Sequence, residues 1–234
     1  MIRNLVLAGM LLATPLPLLA KNVCALPDIS QLQPAHEIHP ERDANSCLQR
    51  QVKHKPDYYM LSLSWSPAFC EKMIARNDGN VPESLKFQCG PDNHFGWVVH
   101  GLWAQSLTPE SCTTPDGKSM PLHPRYCGGD LPALAPATIA PFMCTQPGAD
   151  LLQGEWEKHG SCGFDNPVAY FEKTRVLFNA LVLPESNPGA KELFRWMKQN
   201  NPALKAVRLG FAAGANELQV CYTPGWQVRD CPDK

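Results

Sequence analysis

The sequence carries little charge and almost no excess of either sign. Charged residues make up 18% of its 234 positions, with 21 basic against 22 acidic and a formal net charge of −1, whereas about a quarter of an average globular domain is charged. Binding of a polyanion through a global positive field is thereby excluded, so any such chemistry has to be local. Beyond the first twenty residues there is no long apolar run, which excludes a spanning helix of the ~20 apolar residues a bilayer demands from that part of the chain. No segment recurs with a period of roughly 20–50 residues, so solenoids and propellers are excluded as well. Close cysteine pairs are also missing. The ten cysteines, at 24, 47, 70, 89, 112, 127, 144, 162, 221 and 231, are nowhere nearer than ten positions, whereas structural zinc favours pairs about two to four residues apart.

The first twenty residues are different. Arg3 precedes an apolar stretch interrupted by Pro15 and Pro17 and ending at Ala20, before charged Lys21. This is the three-part pattern of a secretory leader, with cleavage expected after Ala20. An even number of cysteines downstream of such a leader reads as up to five disulfides in an oxidising compartment. The chain is therefore expected to be exported, with residues 1–20 as signal peptide, 21–56 as a polar, solvated extension and 57–234 as a single domain.

Periodicity places the elements. From Asp57, Tyr59, Leu61, Leu63 and Trp65 alternate with Tyr58, Met60, Ser62 and Ser64, the period of a strand closed by Pro67. His94 to Trp103 predicts a second strand, and residues 104–150 a disulfide-bound excursion rich in proline. Asn166 before Pro167 starts a helix with Tyr170, Phe171, Thr174, Leu177 and Leu181 on one stripe. A shorter helix follows Pro188, and residues 205–213 and 217–223 read as closing strands. Strands and helices in runs predict an α+β fold around a mainly antiparallel sheet.

Two segments concentrate reactive side chains, residues 97–103 around His100 and residues 154–162 with Glu155, Lys158 and His159. On a helix the latter three stand at i, i+3 and i+4 and share a face. Two imidazoles can give and take protons near neutral pH while an ammonium stabilises charge on phosphate oxygens. Taken alone, the Glu155/Lys158/His159 trio also fits a solvated ion-pair face, His100 a structural histidine, and Trp103 and Trp156 core residues. The other histidines, 36, 39, 54, 94 and 123, are assigned no role.

His100-Gly101-Leu102-Trp103 and Glu155-Trp156-Glu157-Lys158-His159-Gly160-Ser161-Cys162, in this order, resemble the two active-site segments of the ribonuclease T2 family. The likeness extends over most of residues 57–234, through residues 63–70, Leu218-Gln219-Val220-Cys221-Tyr222 and Arg229-Asp230-Cys231-Pro232. Gly163-Phe164-Asp165 and Ala169-Tyr170-Phe171 resemble bacterial, ribonuclease I-like members. The resemblance implies an endoribonuclease of low base specificity that uses no metal or cofactor and cleaves single-stranded RNA by transesterification through a 2′,3′-cyclic phosphate. It makes His159 the general base, His100 the general acid, Lys158 and Glu155 stabilisers of the phosphorane, and Trp103 a stacking platform for a base. It also suggests the disulfides Cys70–Cys89, Cys112–Cys162, Cys127–Cys144 and Cys221–Cys231, which leaves Cys24 and Cys47 to pair with each other. A monomer is expected, with RNA as its substrate partner and no stable membrane association.

Two positions depart from the family pattern. Ala104 stands where proline commonly follows the first segment, and Gly154 where many members carry a histidine or aromatic residue that helps to hold phosphate. Gly154 motivates an alternative, an exported RNA- or partner-binding protein with weak or no catalysis. A metal-dependent phosphoesterase with Glu155 and His159 as ligands lacks further ligands at a recognisable spacing.

Overall fold

The computed structural model describes residues 24–26, 28–36, 46–47 and 49–232, so the predicted leader lies outside the described residues. The fold is α+β. Strands β1 (Tyr58–Trp65), β2 (Trp97–Gln105), β5 (Gly210–Ala212) and β6 (Glu217–Tyr222) form an antiparallel sheet in the order β2-β1-β6-β5, with β7 (Val228–Arg229) paired to β6. A separate hairpin joins β3 (Glu110–Thr113) to β4 (Ser119–Leu122). The helices are α1 (Ser66–Arg76), α2 (Lys86–Cys89), α3 (Pro136–Ile139), α4 (Ala149–Lys158), α5 (Pro167–Asn179) and α6 (Ala190–Asn200).

The alternation in β1 sorts residues between two faces. Tyr59, Leu61 and Leu63 enter the main core with Val99, Leu102, Leu218 and Val220, against Leu152 and Trp156 of α4, Tyr170 and Phe171 of α5, and Leu193 and Met197 of α6. The opposite face carries Met60 level with Trp103 and Cys221, and Ser62 level with Gly101 and Gln219. This second face is also buried, so β1 is enclosed on both sides. Asn166 caps α5 as its sequence predicts, accepting the Ala169 N–H at 2.9 Å. The Tyr170 hydroxyl ties that helix to β2 by accepting the Leu102 N–H and donating to the Leu102 carbonyl, both at 3.1 Å.

Several boundaries differ from the sequence reading. β2 begins at Trp97, not His94, and continues through Ala104 to Gln105. The strand expected over 205–213 shrinks to Gly210–Ala212, because residues 202–204 form a helical turn that buries Leu204.

Three predicted disulfides are corrected. Cys70–Cys89 and Cys221–Cys231 form, but Cys112 pairs with Cys47, Cys144 with Cys24, and Cys127 with Cys162. Cys112–Cys162, Cys127–Cys144 and Cys24–Cys47 are therefore absent. The cause lies in the backbone. Tyr126 N–H donates to the Lys158 carbonyl at 2.9 Å, which sets Cys127 beside Cys162 with Cα atoms 4.8 Å apart. Cys112 and Cys144 are then left to the N-terminal segment, whose described residues do not form the solvated arm expected for 21–56. Val52 forms a bridge to Arg125, Gln51 Nε2 donates to the Tyr126 carbonyl at 2.7 Å, and Ala25 N–H donates to Asn93 at 2.7 Å. No helix among the described residues is long and apolar enough to cross a membrane.

Candidate active site

The sheet face opposite the core positions the reactive groups. Register along β1 pairs Ser62 with Gly101 but Leu63 with Val99, so His100 is the extra residue of a β-bulge. A bulge re-aims a side chain that strict alternation would send elsewhere. The bulged backbone is held from outside the sheet, where Val99 N–H donates to the Thr145 carbonyl at 2.9 Å and Gln146 Nε2 to the His100 carbonyl at 3.2 Å. The His100 Nδ1 lies 2.6 Å from Oε1 of Glu217 on β6, and its Nε2 lies 3.5 Å from Oε1 of Glu155. Gly101 is required by close approach, since a Cβ there would overlap the Glu155 carboxylate.

Helix α4 supplies the rest. Glu155 and Lys158 occupy its last turn, while His159 is the capping residue just past its end, with its N–H donating to the Glu155 carbonyl at 3.1 Å. The expected cluster therefore forms, with His159 one step outside the helix. Trp103 Nε1 donates to Glu155 Oε2 at 2.9 Å. The Trp103 ring is in contact distance of both imidazoles, 5.2 Å from His100 and 5.7 Å from His159 by ring centres.

The two imidazoles differ in basicity. Burial holds His159 well below the ordinary imidazole value, and the charges of Lys158 and Arg125 push the same way. Burial also works against the His100 imidazolium, but the Glu217 hydrogen bond and the Glu155 and Glu217 charges outweigh it, so His100 is raised. Burial raises Glu155 against the pull of His100 and Lys158, and lowers Lys158 against the pull of Glu155. The pair is therefore tuned in opposite directions, His159 holding a proton less readily and His100 more readily than an ordinary imidazole.

A cleft of about 860 Å³ opens beside Trp103, Lys158 and His159 and extends to Tyr58, Phe211 and Arg208. Its lining includes two groups the sequence reading left without a role. His123 accepts the Ser106 N–H at 3.1 Å, and buried Arg125 donates to the His123 carbonyl at 3.4 Å and the Cys47 carbonyl at 3.3 Å. Glu217 was missed too, although a carboxylate opening the apolar run Leu218, Val220, Tyr222 was a usable signal. His36 lies apart, 2.9 Å from Asp150, and Gly154 sits within α4 beside Glu155. Among the described residues, no group of three or more His, Cys, Asp or Glu is arranged to hold a metal ion.

Comparison with known proteins adds four findings. The model of the ribonuclease T2 family matches residues 56–201. A probable ribonuclease of Haemophilus influenzae is 47% identical over 190 residues, covering 81% of this chain and 66% of that protein, so the match spans just under two thirds of that relative's length. Ribonuclease I of Escherichia coli is 30% identical over 221 residues, covering 77% of this chain and 81% of that protein. Among solved structures, an RNase-related protein from Calystegia sepium superposes with a TM-score of 0.50 at 19% identity, covering 77% of this chain and 93% of that one, a likeness of fold.

Proposed function

Because this chain belongs to the ribonuclease T2 family, we propose that it is an exported RNA-cleaving enzyme that attacks single-stranded RNA through the 2′-hydroxyl. The observation that carries this reading is the pair of oppositely tuned imidazoles beside Trp103. A neutral His159 takes the 2′-OH proton as O2′ bonds to the adjacent phosphorus. The His100 imidazolium gives its proton to the 5′-oxygen as the P–O5′ bond breaks, leaving a 2′,3′-cyclic phosphate and a 5′-hydroxyl. Lys158 and Glu155 face the phosphorane, where preorganised groups act most strongly in a site shielded from water. Each proton transfer of this kind contributes about 10²- to 10⁴-fold. A base stacks on Trp103, a contact that tolerates any base.

The nucleophile belongs to RNA, and DNA lacks it. The N-terminal leader pattern, five disulfides and bacterial relatives support export. We further propose that residues 1–20 are removed and that the protein acts as a monomer without resident metal or cofactor. The test uses oxidised protein spanning residues 21–234, wild type and His159→Ala, incubated with an RNA oligonucleotide and its DNA equivalent in chelator. Mass spectrometry is expected to find cleavage of RNA only, with cyclic phosphate ends, and none by His159→Ala. Intact RNA with a folded wild type, both in chelator and without it, overturns the enzyme reading in favour of the binding protein that Gly154 suggests. Activity that vanishes in chelator overturns metal independence.

A further inference from the structure

Glu217 is not used by the proton transfers just described, yet it is bound to one of the groups that performs them. It is a carboxylate with 7% of its side chain exposed, on a strand all of whose residues are buried. Burying an unpaired carboxylate is costly. Both of its oxygens are engaged: Oε1 faces His100 Nδ1 at 2.6 Å, and Oε2 accepts from the Ser62 hydroxyl at 2.9 Å. The three residues come from three adjacent strands, Ser62 from β1, His100 from the bulge in β2 and Glu217 from β6. The hydroxyl fixes the carboxylate, and the carboxylate fixes the imidazole.

We propose that Glu217 is a positioning residue for the general acid, holding His100 in the tautomer whose proton sits on Nδ1 when neutral. The second proton, on Nε2, is then the one released. This inference rests on the catalytic role of His100 proposed above. An acceptor-only carboxylate at Nδ1 leaves that nitrogen always a donor, so the imidazole can lose a proton only from Nε2. The same charge stabilises the imidazolium. The charged groups facing the ring are Glu217 from β6 and Glu155 and Lys158 from α4. Glu155 is shared with Trp103, whereas the contact of Glu217 with the ring is the shorter of the two.

A structural role and a positioning role give different results when the leaving group changes. RNA expels a 5′-alkoxide that needs a proton; a nucleoside 3′-(4-nitrophenyl phosphate) expels a phenolate that does not. For Glu217→Gln, which keeps the shape and removes the charge, the loss of kcat/KM on a dinucleotide is expected to exceed the loss on the aryl ester by roughly tenfold to a hundredfold, out of the 10²–10⁴ that general acid catalysis supplies. The alkaline limb of the dinucleotide pH profile is expected to move to lower pH, and Ser62→Ala to move it less in the same direction. Equal losses on both substrates with an unmoved limb overturn the proposal. Nitrogen NMR of the wild-type protein requires no variant to fold: a neutral His100 protonated at Nδ1 supports the proposal, and one protonated at Nε2 overturns it. This spectrum reads the dyad independently of turnover, so a wild type that fails to cleave RNA while keeping the Nδ1–H tautomer removes the ribonuclease reading and leaves the dyad intact.

Discussion

His100 and His159 begin with the same intrinsic basicity and are separated by their neighbours. Two carboxylates face His100 and raise it, while burial and the charges of Lys158 and Arg125 lower His159. A general base works when neutral, so activity is gained as pH rises through the His159 value. A general acid works when protonated, so activity is lost as pH rises through the His100 value. The kcat/KM profile for a dinucleotide is therefore expected to be a bell whose acid limb lies below, and whose alkaline limb lies above, the ordinary imidazole value of 6.5. Stopped assays across a constant-ionic-strength buffer series check it, and an acid limb above that value overturns the assignment of His159 as a neutral base. The four groups His100, Glu155, Lys158 and His159 were legible in the sequence because three are local to one helix end and the fourth belongs to a short motif. Glu217 was not. It lies 117 positions from His100, and only the register of β6 against β1 and the bulge in β2 bring the two side chains together.

Elements were legible where a period or a cap was strong. β1 announces itself by alternation and α5 by Asn166-Pro167 followed by an apolar stripe, and both form where expected. Residues 104–150 have no period, so nothing local specifies which cysteine meets which; the pairing follows from the Tyr126–Lys158 backbone bond and the N-terminal segment stitched against it. That segment does different work at its two staples. Cys24–Cys144 closes a sequence separation of 120 and ends one residue before Thr145, whose carbonyl holds Val99 beside the bulge, whereas Cys47–Cys112 anchors the stretch whose carbonyl receives Arg125 at the cleft wall. Paired serine substitutions are expected to cost about 2–4 kcal/mol each in a denaturant titration. Both pairs are expected to lower kcat/KM as well, by severalfold: Cys47→Ser with Cys112→Ser because Arg125 loses a fixed acceptor, and Cys24→Ser with Cys144→Ser because Cys144 precedes Thr145 and Gln146, which hold the backbone at His100. An unchanged kcat/KM in either pair, measured well below its unfolding midpoint, would show that the staple holds the fold and not the site.

On the proposed function, RNA meets a molecule with a formal net charge of −1 and a cleft wall carrying Arg125, Lys158 and Arg208. Long-range attraction is therefore weak, and binding depends on the few phosphates that reach those side chains. For single strands the logarithm of the binding constant falls with the logarithm of salt by about 0.7 per phosphate neutralised. Three phosphates give a slope near −2, and a fourfold rise in salt then weakens binding roughly sixteenfold. A basic protein tracking a long strand over its surface would lose orders of magnitude more over the same interval. The expected outcome is a slope between about −1 and −3 for a short oligoribonucleotide bound to the His159→Ala protein, read by fluorescence anisotropy across a salt series. Lengthening the oligonucleotide well past the cleft is expected to leave that slope unchanged, because the protein offers added phosphates no net positive charge. A slope that steepens with each added nucleotide would mean that RNA follows a basic path outside the cleft, and that local capture is the wrong description of how this nearly neutral molecule engages its substrate.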